Sequence, residues 1–173
     1  IHTFNNEVRQ LLKIDPETAA ILRIWNLPGQ VDYPRALAIN SAEQKLYIAG
    51  TSLGIYEFEF RNDSTLAYID RHDVKDPRTG HGIQHYGLAI YEDDPDGYPL
   101  YVYTDDNPEG NGQIPDISVY KVDPSNGSIL FVTGLEFLPQ TGHGRGGICI
   151  TPHWSAYSWV MAAVIDDPTN DYI

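Results

Sequence analysis

Two histidines sit in the same four-residue setting. Thr79-Gly80-His81-Gly82 recurs as Thr141-Gly142-His143-Gly144, and His85 and Arg145 follow the two copies closely. Neutral imidazoles converging at one place can bind a metal or act as general bases, which makes His81, His143 and His85 the catalytic candidates. The competing role is structural, with glycine permitting close packing and the imidazole hydrogen-bonding a neighbouring strand. A second constellation is Glu92-Asp93-Asp94-Pro95-Asp96-Gly97. Glu92, Asp94 and Asp96 fall on alternate positions ahead of a glycine, the spacing with which oxygens wrap a hard cation such as calcium around a sharp turn. The position of the usual later carboxylate is taken by Leu100, and the alternative is a solvated acidic turn. A third is Asp105-Asp106-Asn107-Pro108-Glu109-Gly110-Asn111-Gly112, where Asp105 and Asp106 offer oxygens to a cation or to carbohydrate hydroxyls, the alternative being an ordinary polar loop of Gly, Asn and Pro.

These segments take their meaning from a repeat. Lys13-Ile14-Asp15-Pro16 returns 108 positions later as Lys121-Val122-Asp123-Pro124. Between the two lies a divergent copy, Ile55-Tyr56-Glu57-Phe58-Glu59-Phe60 with its own turn at Asn62-Asp63-Ser64, so the period is about 54 residues. A second series runs in step: Arg35-Ala36-Leu37-Ala38-Ile39, then Tyr86-Gly87-Leu88-Ala89-Ile90, then Gly146-Gly147-Ile148-Cys149-Ile150. Each is followed by a turn and another apolar strand, at Lys45–Gly50, Leu100–Thr104 and Trp159–Val164. One unit therefore reads as an innermost strand a of small residues, an apolar strand b, an alternating strand c and a strand d. Asp123-Pro124-Ser125-Asn126-Gly127 forms the c–d turn, with Gly127 or Asn126 taking the positive-φ position.

Four antiparallel strands per unit, repeated around a crowded innermost strand, make an all-β chain of β-propeller blades. The expected segments are a half blade over 8–27, a blade over 34–71, a blade over 86–135 and a half blade over 146–173. About three blades are fewer than the roughly 4–8 of closed propellers. The expectation is a partial propeller, its remaining blades lying in the same protein or in a second chain. Trp154, Tyr157 and Trp159 read as packing between blades, and Cys149, flanked by Ile148 and Ile150, as a small buried hydrophobe.

Composition agrees. The 173 residues are 42% hydrophobic and 20% charged, with 15 glycines and 12 prolines for many turns. A net charge of −13 speaks against nucleic acid as a partner, because phosphate binding needs a basic surface. No apolar run approaches the ~18 residues of a transmembrane helix. There is no Gly-x-Ser-x-Gly elbow, paired-cysteine metal site or phosphate-binding loop.

Through Leu46-Tyr47-Ile48-Ala49-Gly50, Leu100-Tyr101-Val102-Tyr103 and Ile117-Ser118-Val119-Tyr120, the chain resembles the YVTN and NHL-like propeller repeats. That resemblance implies a secreted or cell-surface module for ligand or protein binding or for assembly. Leu46–Tyr91, with Ile69-Asp70-Arg71 and Gly87-Leu88-Ala89-Ile90-Tyr91, is more distantly similar to calcium-dependent propeller hydrolases: phytases, lactonases and esterases. Such phytases carry an acid directly before the Gly-Leu of strand a, where this chain has Tyr86, and further acids where it has Gly146 and Gly147. The non-catalytic reading leads, and calcium is the one cofactor in view.

Overall fold

The computed structural model describes residues 2–5, 9–50, 54–75, 80, 82–105, 118–134, 144–152 and 159–166. Their strands form four antiparallel sheets in succession. The first sheet holds β1 (His2–Asn5), β2 (Gln10–Ile14) and β3 (Ile21–Asn26). The second, blade 1, is the meander β4 (Ala36–Asn40), β5 (Lys45–Ala49), β6 (Gly54–Asn62) and β7 (Thr65–Asp73). Blade 2 repeats it as β8 (Gln84–Ile90), β9 (Leu100–Asp105), β10 (Ser118–Val122) and β11 (Ile129–Gly134). A pair, β12 (Gly144–Pro152) and β13 (Trp159–Asp166), completes the set. The chain is a partial β-propeller, all-β.

Alternation places each strand in two cores at once, because successive side chains point to opposite faces. In β5, Leu46 and Ile48 pack with Leu11, Trp25 and Phe58 in the core between the first sheet and blade 1. Tyr47 and Ala49 face the other way, into the core shared with Leu88, Leu100, Val102 and Tyr120 of blade 2. Tyr101 and Tyr103 then meet Ile148 of β12 in a third core. A strand buried on both faces reads as a continuous apolar run, which is why Leu46-Tyr47-Ile48-Ala49 shows no polar alternation.

Of the innermost strands, β8 lies against both β4 and β12. There the small residues matter: a Cβ on Gly87 would stand 2.9 Å from the backbone nitrogen of Ile148. The c–d turns also repeat. Asp15 Oδ1 accepts from the N–H groups of Glu17 and Thr18, Asn62 Oδ1 from Ser64 and Thr65, and Asp123 Oδ1 from Ser125. Side-chain oxygens that bind the backbone two residues on are the ordinary start of such turns. Gly127 has φ 73°, the positive value expected from the sequence, and its counterpart Ala19 has φ 58°.

Two features depart from the sequence reading. His2–Asn5 pairs with β2 as an additional strand, too short and too polar to announce itself. Cys149 is exposed rather than buried: Ile148 takes the inward face of β12, so its neighbour must point outward, and nothing among the described residues covers that side. His81, His143, Asp106, Trp154 and Tyr157 lie outside the described residues, as does the expected strand start at 170–173. Among the described residues there is no helix long and apolar enough to cross a membrane.

Candidate functional site

The acidic turn between β8 and β9 does hold a cation, but that cation is a lysine of the same chain. Asp94 Oδ1 accepts from the backbone N–H groups of Asp96 at 3.0 Å and Tyr98 at 3.2 Å. Its Oδ2 accepts from the Tyr101 hydroxyl at 2.6 Å and from Lys121 Nζ at 2.7 Å. Asp96 Oδ2 takes the same ammonium at 2.6 Å, and Lys121 Nζ stands 5.5 Å over the Tyr101 ring. The Asp94 side chain is 1% exposed and that of Lys121 11%. Burial raises the Asp94 pKa, but the hydrogen bonds from Lys121, Tyr101, Tyr98 and Asp96 outweigh it and hold the carboxyl below its ordinary value. Burial, then the bond to Asp94, pushes the Tyr101 phenol up to about 12. Lys121 is raised too: burial opposes its charge and the two carboxylates overcome it.

Glu92, the first member of the expected calcium-loop spacing, turns elsewhere. Its Oε1 accepts from the N–H of Ala42, 3.4 Å away in the corresponding turn of blade 1. The three carboxylates therefore do not close on one point, and no group of three or more His, Cys, Asp or Glu side chains among the described residues is placed to share a metal ion. His85, a catalytic candidate, is fully buried near the start of β8, opposite Thr104 of β9. Asp105 ends β9 opposite Gln84.

Blade 1 has a buried ionic cluster at the matching place. Glu57, on β6 opposite Tyr47, meets Lys45 Nζ at 3.0 Å and His72 Nε2 at 2.8 Å. Its side chain is 8% exposed. The bond to Glu57 raises the Lys45 pKa, and burial followed by the charge of Glu57 raises that of Tyr47.

Between the first sheet and blade 1 lies an open groove of about 340 Å³. His2, Trp25 and Phe60 form its aromatic wall, with ring centres 5.6–6.1 Å apart, and Lys13, Arg61 and Asp63 stand at its polar rim. Arg61 is bound to Glu59 at 3.2 Å, whereas the ion pairs of the described residues leave Lys13 out. Burial first, then nearby positive charge including Lys13, lowers the His2 pKa, which favours a neutral ring.

Sequence reasoning missed this groove because its wall comes from β1 and from residues of two sheets. It also missed the lysine in the acidic turn, although Lys121 belongs to the repeated Lys-Ile/Val-Asp-Pro motif. Reading that motif in its sheet, one strand from the a–b turn, was the available signal.

No protein-family model matches the chain, and no curated protein matches it. Among solved structures it is similar to the β-propeller domain of Cps50 (Swd1) from Myceliophteria thermophila, at 15% identity and a TM-score of 0.49 over 90% of this chain. It is also similar to a protein from Lactobacillus plantarum, at 16% identity and a TM-score of 0.46 over 95% of this chain. The chain spans 44% and 62% of the lengths of these two.

Proposed function

We propose that the chain is part of a non-catalytic propeller module, secreted or at the cell surface, that binds a ligand or protein through the groove between the first sheet and blade 1. One contrast supports this reading. The buried charges of the two blades are matched internally, Lys121 by Asp94 and Asp96 and Glu57 by Lys45 and His72. The groove instead offers an aromatic wall and an ammonium without a described ion-pair partner. A concave surface that sets an aromatic wall beside placed polar groups can hold and orient a ligand with an apolar body and a polar end.

The test uses the chain with Trp154 and Trp159 replaced by phenylalanine, so that Trp25 alone reports. Titration with 3-phenylpropionate should give saturable quenching that Phe60→Ser abolishes. A flat titration would refute recognition at this groove. Hydrolysis of p-nitrophenyl esters, phytate or lactones that stops in EDTA and returns with calcium would overturn the non-catalytic reading in favour of a calcium-dependent hydrolase.

A further inference from the structure

The c–d turns of the first sheet, blade 1 and blade 2 share one hydrogen-bonding device but not one residue. Asp15 and Asp123 open two of them, and Asn62 opens the turn between β6 and β7. Asn62 Oδ1 accepts from Ser64 N at 2.9 Å, Ser64 Oγ at 2.7 Å and Thr65 N at 2.9 Å. Asp123 Oδ1 likewise accepts from Ser125 N at 2.9 Å and Ser125 Oγ at 2.7 Å. A carboxylate therefore does what this turn asks, and an amide adds only its nitrogen. Among the described residues Asn62 Nδ2 makes no hydrogen bond, and Asn62 is exposed. Asn126 is the contrast: its Nδ2 donates to Asp123 Oδ2 at 2.7 Å and so helps to hold its own turn.

The unused nitrogen stands in a pattern with a chemistry of its own. Asn62-Asp63-Ser64 has the Asn-x-Ser/Thr spacing of an N-glycan acceptor, with no proline at the centre. We propose that Asn62 accepts an N-linked glycan from an oligosaccharide carried on a lipid diphosphate. Nδ2 loses a proton to a base of the transferase and bonds to the anomeric carbon of the first sugar. The bond from that carbon to the diphosphate oxygen breaks, and the lipid diphosphate leaves with the electron pair.

The product is still an amide, so Oδ1 keeps its three donors and the turn keeps its shape. A glycan is bulky and has to stay at the surface. Arg61, Asn62, Asp63, Ser64 and Thr65 are all exposed, and the two strands that carry them belong to a complete blade. The inference rests on the secreted reading above and adds a modification to it.

The full chain, behind a fused signal sequence, is expressed in mammalian cells and recovered from cells and medium together. Peptide:N-glycosidase F in heavy-oxygen water converts each glycan-bearing Asn to a labelled Asp, and trypsin then releases Asn62–Arg71. Mass spectrometry should find the label at Asn62. Asn62→Asp keeps the accepting oxygen that opens the other two turns, so its fold is preserved. That variant and Ser64→Ala should each lose one glycan from the intact mass, whereas Ser64→Thr should keep it. An unlabelled Asn62, or a glycan mass unchanged in Asn62→Asp, overturns the proposal. Because the fused sequence delivers the chain, that failure leaves the secreted reading standing. Label here with a bare Asn62 on the protein from its natural source does the reverse: the acceptor assignment holds and the secreted reading falls.

Discussion

Blade 1 and blade 2 solve the same problem with opposite signs. At one repeat position, facing a strand-b tyrosine, blade 1 buries Glu57 and blade 2 buries Lys121. The flanking apolar positions match closely: Leu46 with Leu100, Ile48 with Val102, Tyr56 with Tyr120, all at most 2% exposed. The repeat thus specifies a buried charge at this place and leaves its sign free, provided that its partners change with it: Lys45 of β5 and His72 of β7 in blade 1, Asp94 and Asp96 of the β8–β9 turn in blade 2. The acidic spacing of Glu92, Asp94 and Asp96 is in this light the complement of a lysine. A charge buried without a partner is strongly unfavourable, so the charge and its partners have to vary together.

The largest effect should come from breaking that complement. Lys121→Met leaves Asp94, 1% exposed, without its counter-ion and should cost about 3–5 kcal/mol in urea unfolding. Glu57→Gln keeps a hydrogen-bonding oxygen toward Lys45, which is 36% exposed, and should cost less. Equal losses would mean that the two clusters are not differently buried in energetic terms. The pH dependence sharpens the contrast. Because the folded Asp94 pKa is lowered, its contribution is present above the unfolded value of about 3.9 and is lost as pH falls through the depressed folded value. The stability gap between wild type and Lys121→Met should therefore hold through neutral pH and close below about pH 4. A gap that widens on acidification would place the shift in the wrong direction.

How much of this was legible depended on whether a feature was local. The repeat, the strand order within blades and the positive φ at Gly127 follow from short-range pattern, since alternation and turn chemistry act over a few residues. The partners of the charges do not. Asp94 and Lys121 are 27 positions apart in sequence and meet because β8, β9 and β10 are neighbours. The burial of His85, which follows a Gly-His-Gly segment, is likewise set by residues distant in sequence, such as Thr104 opposite it on β9. The groove needed β1, a four-residue strand with little pattern, and so was not visible at all.

An intermediate effect separates the innermost strands. Gly87→Ala would push a methyl group to 2.9 Å from the Ile148 nitrogen, a backbone atom that cannot rotate away. Overpacking of this kind costs about 1–3 kcal/mol, measurable by thermal or urea unfolding. Blade 1 already carries Ala36 at the matching position, so Ala36→Gly should change stability by less than about 1 kcal/mol. If Gly87→Ala proved neutral, the tight approach of β8 to β12 would not be what keeps that position small.

The smallest expected effect compares two copies of one turn. Ala19 and Gly127 both donate their N–H to the Asp that opens the turn, Asp15 at 2.9 Å and Asp123 at 2.8 Å, and both have positive φ. For alanine that conformation costs about 1–2 kcal/mol through the contact of Cβ with the backbone; for glycine it costs nothing comparable. Ala19→Gly should therefore stabilise the protein, by less than about 1 kcal/mol once the added freedom of the unfolded chain is subtracted. Gly127→Ala should destabilise it, and by more than that gain, because its new Cβ would also lie 3.2 Å from the Asp73 carbonyl oxygen of blade 1. Opposite signs for the same exchange run in reverse would establish that the two turns share one geometry and differ only in how well the residue suits it. A destabilised Ala19→Gly would show instead that the alanine is held there by a contact of its side chain, and that the first turn is not a plain copy of the second.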